Sequence, residues 1–361
     1  MSYKKPTIFL TIEIKSGEFI PKCFLAYQLI KKGFRVYMGS NLTIDLALKK
    51  SEPAIIFHKS SWVKNSKYYK ALGHKFIFMD EEGGITTPRS LVKKYCNERY
   101  KDVAKENTDI IFFPNKRFYK NAKKLKNLRG VKLFISGWPR VDLWNKKYEY
   151  LYKFKINKIK KKYGNFYLFI SSFGLTSYKS YQQRLSNPNL FFDKSIIKET
   201  YKYFQKNVKF LKDLSVSMKN NDKIILRPHP NEKIHEWERI FSKYDNINIV
   251  RNDDITPWLY AANSLLQSGS TATTQAALLG KKSIILNYRK KKGFTDTPSF
   301  ELCEEVKNAK EAYQLLKKNN YINHKALSQS TKKYLEKEME YSEKKSATKK
   351  IVEKLFDEKL K

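Results

Sequence analysis

Short apolar runs rich in β-branched and aromatic residues alternate with amphipathic stretches along most of the chain. In the first half, such runs lie at 8–12, 34–38, 54–57, 75–79, 109–113 and 131–135. Residues 21–32 have the spacing of a helix, which Gly33 ends. This alternation predicts a doubly wound parallel sheet, in which a loop follows the carboxyl end of each strand, where open α/β sheets bind their ligands.

The second half repeats this rhythm after a basic stretch at 151–165, which has no clear strand pattern and is predicted to be an interdomain linker. Apolar runs follow at 166–170, 223–226, 247–250, 265–267 and 283–286, with helical stretches at 195–218, 232–242, 255–262 and 273–279. A chain of 361 residues is also longer than one core usually covers. We therefore predict an α/β fold of two Rossmann-like αβα domains, 1–150 and 166–322, that face a central cleft and precede a helical tail at 323–361.

The chain is strongly basic, with 73 Lys and Arg against 35 Asp and Glu and a formal net charge of +38. A surface of this charge attracts polyanions such as nucleic acid or an anionic membrane. The alternative is a compositional bias that spreads lysines over solvated faces. Two segments stand out, because 116–132 has eight cations, 153–162 has six, and neither has an acid. Composition leaves both interpretations open, the functional one being peripheral contact with the anionic inner membrane or with a charged glycan.

The location of the protein is predicted from what the sequence lacks. No stretch approaches the roughly 18 to 20 apolar residues of a membrane-spanning helix, and the N-terminus has no signal-peptide cleavage site. The three cysteines lie far apart, and the five histidines form no pair with metal-ligand spacing. We expect a cytoplasmic protein, peripheral on the inner face of the membrane if that contact exists, with no metal or resident cofactor.

The sequence Arg227-Pro228-His229-Pro230 directly follows a predicted strand. The prolines restrict the backbone on both sides of His229, so its imidazole is held at the carboxyl end of the sheet near the Arg227 guanidinium. These two groups are suited to binding a phosphate, and the imidazole is suited to protonating a departing one. The alternative is a turn histidine that only satisfies local hydrogen bonds.

A second loop of small residues, Ser268-Gly269-Ser270-Thr271, separates a predicted strand from a predicted helix. Small side chains let a ligand approach the backbone, and the amides at a helix start, assisted by the Ser270 and Thr271 hydroxyls, favour an anion. The alternative is a simple helix cap. Together with the histidine motif, the loop predicts a phosphate-binding site, although no P-loop pattern is present.

In the first half, Asp80-Glu81-Glu82-Gly83 and a further glycine follow the predicted strand at 75–79. Three adjacent carboxylates repel one another, so we expect at least one raised pKa, as a general acid or base requires. Gly83 allows a tight turn. The alternative is a solvated acidic loop.

Further candidates follow other predicted strands. Asp142, in the sequence Gly-Trp-Pro-Arg-Val-Asp, is either a second carboxylate lining the cleft or only a partner for Arg140. Gly174 lies where a glycine turn lets backbone amides meet a donor, and Lys59 is a candidate for binding an anionic substrate.

Taken in order, the DEEGG, GxPRxD, RPHP and GSTATTQAALLGKK segments resemble motifs of the bacterial GT-B glycosyltransferases that use CMP-activated acidic sugars. The set is most similar to bacterial surface carbohydrate biosynthesis proteins related to capsule and O-antigen β-Kdo transferases, and it extends over roughly residues 5 to 300, a region of two-domain size. The resemblance implies a GT-B-like fold with the acceptor side and catalytic carboxylates in the first domain and the donor site in the second.

The resemblance also implies roles for individual residues. One of Asp80, Glu81 and Glu82, with Glu81 favoured, is the catalytic acid or base, and His229 assists departure of the CMP phosphate. In the same loops Arg227, Pro230 and the segment from Ser268 to Thr271 hold the donor. If the reaction retains configuration by double displacement, Asp142 is the candidate nucleophile. Trp138 in GxPRxD departs from the family pattern, which weakens the assignment of Asp142.

The function implied is metal-independent transfer of a Kdo-like or sialic-acid-like sugar from a CMP donor to a surface polysaccharide or lipopolysaccharide, with fixed cations replacing a metal at the leaving phosphate. One alternative is a CDP-glycerol or CDP-ribitol phosphotransferase of teichoic-acid type, and a nonhydrolysing nucleotide-sugar epimerase is another. From a different class, a nucleic-acid-binding module is disfavoured, since the basic clusters contain no recognisable motif.

Overall fold

The computed structural model describes residues 5–59, 65–84, 87–174, 178–187, 193–219, 221–251, 254–287, 298–319, 329–342 and 344–359. The chain divides into two compact units. Unit 1 comprises Met1–Thr87, Leu91–Trp144 and Lys332–Lys361, and unit 2 comprises Pro88–Ser90 and Asn145–Thr331. The C-terminal segment therefore belongs to the same unit as the N-terminus.

Unit 1 contains a parallel sheet of six strands in the order β2-β1-β3-β4-β5-β6. Its strands are β1 (Thr7–Thr11), β2 (Arg35–Gly39), β3 (Ile55–His58), β4 (Lys75–Met79), β5 (Ile110–Phe113) and β6 (Lys132–Ile135). The central strands are buried on both faces, as continuous apolar runs such as Ile110–Phe113 require. On β4, Phe76 and Phe78 join separate core clusters.

Helices cover this sheet and extend to the C-terminus. They are α1 (Lys15–Lys31), α2 (Asn41–Leu48), α3 (Ser66–Ala71), α4 (Val92–Arg99), α5 (Lys116–Ala122) and α6 (Pro139–Asp142), joined by most of α14 (Gln329–Met339) and by α15 (Ala347–Lys359). The return of the chain is fixed by an ion pair of 2.7 Å between Arg117 and Glu338, whose carboxylate is almost fully buried.

Unit 2 has a second six-stranded parallel sheet, in the order β12-β11-β10-β7-β8-β9. Its strands are β7 (Tyr167–Ile170), β8 (Ile224–Arg227), β9 (Ile247–Ile249), β10 (Ser264–Gln267), β11 (Ser283–Leu286) and β12 (Cys303–Val306). Its helices are α7 (Lys153–Tyr163), α8 (Tyr178–Leu185), α9 (Lys194–Ser217), α10 (Ile234–Phe241), α11 (Thr256–Ala261), α12 (Ala272–Leu278) and α13 (Ala309–Asn319). Alternate residues of β7 enter opposite cores, with Phe169 on one face and Leu168 on the other.

The structure differs from the predicted domain borders in two places. Residues 151–165, predicted as a linker, contain α7, whose Ile156 and Ile159 are buried in the core of unit 2. The border between the units lies between Trp144 and Asn145. The predicted border at residue 322 lies outside the described residues.

None of the helices in the described ranges is long and apolar enough to cross a membrane.

Candidate active site

Asp80 organises the turn that follows β4. Its side chain is fully buried, and its Oδ1 accepts hydrogen bonds from the amides of Glu82 (3.0 Å) and Gly83 (3.3 Å) and from the Tyr95 hydroxyl (3.2 Å). A Cβ atom at Gly83 would lie 2.7 Å from Asp80 Oδ2, so this position requires glycine. Asp80 therefore fixes the loop that presents its two glutamates.

Glu81 is buried, with 6% of its surface exposed. Its Oε1 lies 3.5 Å from Nζ of Lys22, a buried lysine of α1 whose ammonium lies 4.8 Å from the centre of the Phe57 ring. Its Oε2 is also buried and has no hydrogen-bond partner among the described residues. A buried carboxylate oxygen without a partner is costly, so Oε2 is the atom of this cluster most suited to accept a bond from a ligand.

Glu82 is the exposed member of the triplet, with 53% of its side chain accessible. It pairs with Lys59 (3.1 Å) and Arg99 (3.6 Å). Although burial alone would raise the pKa of Glu82, the charges of Arg99 and then Lys59 hold it below its ordinary value. This corrects the expectation of mutual repulsion for Glu82, because neighbouring cations outweigh the like charges.

Lys59, predicted to bind an anionic substrate, is instead surrounded by carboxylates of its own unit. Besides Glu82, its ammonium contacts Glu18 (3.1 Å) and Glu13 (3.5 Å), and its side chain is only 5% exposed. These pairs outweigh the cost of burial and raise the pKa of Lys59 above its usual value. Lys59 therefore holds α1 and the acidic loop together.

Trp138, in the GxPRxD segment, braces the acidic loop. Its Nε1 donates to the Asp80 carbonyl at 2.7 Å, and a Cβ at Gly84 would lie 2.9 Å from its ring. The Arg140 guanidinium stacks 4.1 Å from the same ring and donates to the Glu81 carbonyl at 2.9 Å. Arg140 thus fixes the backbone of Glu81.

Asp142 has partners that neither predicted role includes. Its Oδ1 accepts from the amide of Ala347 (2.9 Å), and its Oδ2 accepts from the amide (2.8 Å) and hydroxyl (2.6 Å) of Thr348. These groups open α15, so the carboxylate caps that helix and interacts favourably with its dipole. The structure therefore gives the Asp142 carboxylate a structural role at the start of α15, which the sequence analysis did not predict.

In unit 2, the Arg227-Pro228-His229-Pro230 motif begins at the last residue of β8. Arg227 is only 8% exposed, and its guanidinium lies 5.1 Å from the centre of the Trp258 ring. This contact ties Arg227 to the core of unit 2 rather than leaving it at the surface.

His229 is exposed at this strand end, and its Nδ1 accepts a hydrogen bond from the Asn231 amide at 3.2 Å. Partial desolvation, followed by the charges of Arg184 and Arg251, lowers the pKa of His229 from its ordinary value. With Nδ1 accepting, the neutral ring carries its proton on Nε2. His229 is therefore suited to donate a hydrogen bond to an anion, rather than to transfer a proton as an imidazolium.

Glu232 was missed by the sequence analysis, although it stands only three residues after the histidine. It is 1% exposed and accepts hydrogen bonds from Ser171 Oγ (2.7 Å), Trp237 Nε1 (2.9 Å) and the amides of Gly174 (3.0 Å) and His229 (3.2 Å). Burial raises the pKa of Glu232, while these bonds oppose the shift. The Gly174 amide, predicted to meet a donor, is thus bonded internally, and Glu232 fixes the loops after β7 and β8.

The loop from Ser268 to Thr271 is also bonded internally. The Gln267 side-chain oxygen accepts from the amides of Gly269 and Ser270, the second at 2.9 Å. The hydroxyl of Ser268 accepts from the Ser172 amide at 2.9 Å. The Gly269 and Ser270 amides are therefore already bonded to Gln267, contrary to the prediction that they are available to an anion. Thr271 directly precedes α12.

Two arginines that the sequence analysis did not single out lie near His229. The guanidinium of Arg184, on α8, comes within 3.0 Å of the position of a Cβ at Gly174. Arg251 donates to the carbonyls of Glu232, at 3.1 Å, and Pro230. The edge of the second sheet thus carries two exposed guanidinium groups beside a neutral imidazole donor, a combination suited to a phosphate.

Comparisons with known proteins place the fold. No protein-family model and no curated protein matches the chain. Among solved structures, the wall teichoic acid polymerase TagF (H444N variant) matches with a TM-score of 0.58 at 13% identity, covering 99% of this chain and 90% of the other. The UDP-N-acetylglucosamine 2-epimerase from Rickettsia bellii matches with a TM-score of 0.55 at 14% identity, covering 98% and 97%. Another TagF structure similar to this chain was obtained after a soak with CDPG.

These similarities extend over nearly the whole length of the chain, and at this identity they show the fold alone. The predicted two-domain α/β fold of GT-B type is confirmed, with two parallel six-stranded sheets and helices at the C-terminus.

Proposed function

We propose that this chain is a transferase that moves an activated group from a cytidine nucleotide to a growing cell-surface polymer. The foremost reaction is transfer of an acidic sugar, Kdo-like or sialic-acid-like, from its CMP donor. The observation that carries the proposal is the buried Glu81 carboxylate, which has one oxygen paired with Lys22 and the other without a partner in the described chain.

Glu81 is proposed to be the general base. An acceptor hydroxyl that donates to Oε2 would satisfy the unpaired oxygen and lie within reach for proton transfer. In a direct displacement, the hydroxyl oxygen bonds to the anomeric carbon, its proton passes to Oε2, and the bond from that carbon to the phosphate oxygen breaks. The electron pair of that bond leaves with CMP.

Unit 2 is proposed to bind the nucleotide. CMP gains negative charge as it departs, and the His229 Nε2 proton with the Arg184 and Arg251 guanidinium groups supplies fixed positive potential at one sheet edge. Groups held in place before the reaction stabilise developing charge without a reorganisation cost. We propose that they do so without a resident metal.

A second candidate is transfer of a polyol phosphate from a CDP-activated donor. The likeness to TagF, including the structure soaked with CDPG, favours it. The same carboxylate would then deprotonate a polymer hydroxyl that attacks phosphorus instead of carbon.

Nucleotide selectivity tests the proposal. We expect CMP and CDP to raise the melting temperature, since a ligand that binds only the folded state stabilises it by mass action. UDP at the same concentration should have a smaller effect. Stabilisation by UDP alone would contradict a cytidine donor and favour an epimerase like the one from Rickettsia bellii.

Product analysis separates the two candidates. The protein would be incubated with CMP-Kdo, CMP-sialic acid or CDP-glycerol and a polymer acceptor, and the product mass measured. A sugar added with release of CMP supports the foremost reaction, and a glycerol phosphate added with the same release supports the second. Activity with none of the three donors, despite CMP binding, would contradict both.

A further inference from the structure

Helix α7 presents an aromatic side chain at the centre of its solvent face. Ile156 and Ile159 are buried in the core of unit 2, whereas 81% of Phe154 is exposed. At about 100° per residue, Phe154 lies almost opposite the buried pair. Lys158 and Lys161, four and seven residues later, share its face and are exposed. Phe154 therefore stands among lysines, away from the core.

The 3₁₀ helix directly before α7 adds two more exposed apolar side chains. Within the segment Lys146–Tyr152, Tyr150 is 67% and Leu151 is 47% exposed. The following Tyr152 is buried, and its ring lies 6.1 Å from that of Tyr260 in the same core. Three large apolar side chains thus project into solvent within residues 150–154, and the buried Tyr152 holds this segment against the core.

The same segment is strongly cationic. Residues 146–162 contain eight lysines and one acid, Glu149. The positive electrostatic potential of these lysines also reaches Lys281. Burial and then the charge of Lys160 lower the pKa of Lys281 to about 8. Apolar groups are therefore exposed at a concentrated patch of positive charge.

A second basic segment offers a contrast within the chain. Residues 116–132 carry eight cations and no acid, but none of their large apolar side chains is among the exposed ones. The combination of exposed apolar side chains and lysines at α7 is typical of proteins that bind a lipid interface. Aromatic and aliphatic groups enter the headgroup boundary, and lysines neutralise anionic lipids. An aliphatic side chain such as Leu151 has no ring on which a nucleic-acid base could stack.

We propose that Tyr150, Leu151, Phe154 and the exposed lysines of α7, here called the α7 surface, bind an anionic lipid bilayer. Lysines contact the lipid phosphates, and the three apolar side chains lie at headgroup depth. So small an apolar area gives weak and reversible attachment, which depends on the anionic lipid and weakens with salt. The proposal does not depend on the proposed transferase reaction.

Co-sedimentation with vesicles tests this surface. We expect the full chain to bind vesicles of phosphatidylcholine mixed with phosphatidylglycerol, to bind phosphatidylcholine alone far more weakly, and to dissociate at high salt. Phe154→Ser should weaken binding about tenfold through loss of apolar contact, and Lys158→Glu with Lys161→Glu by more than about tenfold. The exposure of these side chains keeps the fold intact, which circular dichroism would verify.

Two matched controls accompany these variants. Lys124→Glu with Lys126→Glu makes the same charge change in the other basic segment, and Val216→Ser removes an apolar side chain that is 78% exposed on α9. We expect both to bind vesicles like the wild type, within about twofold for the distant charge change. Equal losses in the controls and the α7 variants would overturn the proposal. So would equal binding to both vesicle types, or binding of labelled RNA through these lysines with no vesicle binding.

Discussion

The carboxyl ends of the two sheets have similar architecture but opposite chemistry. In unit 1, the acidic loop after β4 is surrounded by cations, and the buried Glu81 still has an oxygen without a partner in the described chain. In unit 2, the buried Glu232 is satisfied by four donors, and the cations Arg184 and Arg251 remain at the surface. One edge thus retains a buried acceptor without a hydrogen-bond partner in the described chain, and the other presents cationic side chains at the surface.

The difference bears on the roles that we propose for the two edges. A buried carboxylate oxygen without a hydrogen-bond partner in the described chain is suited to accepting a hydrogen bond from a substrate hydroxyl. Exposed guanidinium groups beside a neutral imidazole are suited to holding a phosphate without moving protons. The comparison predicts that both Glu81 and His229 affect turnover, Glu81 by accepting a proton and His229 by donating a hydrogen bond to the leaving nucleotide.

The largest effect is expected from Glu81→Gln, which preserves the shape of the side chain but removes the base. Transfer should fall about a thousandfold, a typical value for loss of general base catalysis. CMP binding should persist, because the nucleotide site is assigned to unit 2. The rate is measured by release of CMP, and binding by thermal shift.

Glu82→Gln is the matched control, since Glu82 is more than half exposed and its lowered pKa makes it a poor base. We expect its turnover to stay within about threefold of the wild type, as for a partly screened surface pair. A large loss in Glu82→Gln with normal activity in Glu81→Gln would reverse the assignment of the base.

The sequence predicted the strands closely where they are buried on both faces. The run at 283–286 is β11 (Ser283–Leu286), and the run at 75–79 is β4. Strand β12 (Cys303–Val306) was missed because an edge strand with two adjacent glutamates lacks a continuous apolar signal. The linker prediction failed because lysines on the solvent face of α7 hide the spacing of Ile156 and Ile159.

The candidate site could be predicted only in part. Strand-end motifs pointed to Glu81 and His229, since topology places loops there. The pairing of Glu81 with Lys22 depends on how α1 packs on the sheet, which no local pattern specifies. Glu232 had a local signal, an acid three residues after His229, but its burial was the decisive fact.

The loss of folding stability at low pH tests the burial of His58, which lies at the end of β3. Burial, then the charges of Lys22 and Arg99, lowers the pKa of His58 to about 3, and neither ring nitrogen has a partner among the described residues. Below the ordinary pKa of 6.5, the unfolded chain binds a proton that the folded chain does not, so stability falls as the pH falls. From pH 6.5 to 4 this amounts to about 3 kcal/mol.

His58→Leu should remove this part of the acid sensitivity, measured by urea unfolding at several pH values. The control His235→Leu changes an exposed histidine of unit 2 and should leave the pH dependence as it is in the wild type. If His58→Leu retains the full loss between pH 6.5 and 4, His58 is not the buried group responsible.

At the edge of unit 2, His229→Ala should reduce kcat by about a hundredfold, as expected for removal of one preorganised donor to a developing charge. Because the lowered pKa keeps the ring neutral at pH 7, protonation of His229 should not limit the rate between pH 7 and 9. His235→Ala is the control and should turn over normally. A wild-type rate that falls with an apparent pKa in that range, and a loss of this fall in His229→Ala, would favour proton transfer by this residue instead.

The smallest effect on transfer is expected from Asp142→Asn. The transferase resemblance predicts that this variant loses activity, whereas the hydrogen bonds of Asp142 predict that it loses stability. A nucleophile would be indispensable, whereas a cap for α15 contributes about 1 to 2 kcal/mol of stability. The amide cannot accept the bonds that Oδ2 receives from Thr348, so the melting temperature should fall while kcat per folded molecule is retained. A variant with unchanged melting temperature and no transfer would restore Asp142 to the reaction. It would also show that unit 1 holds a second working carboxylate besides Glu81.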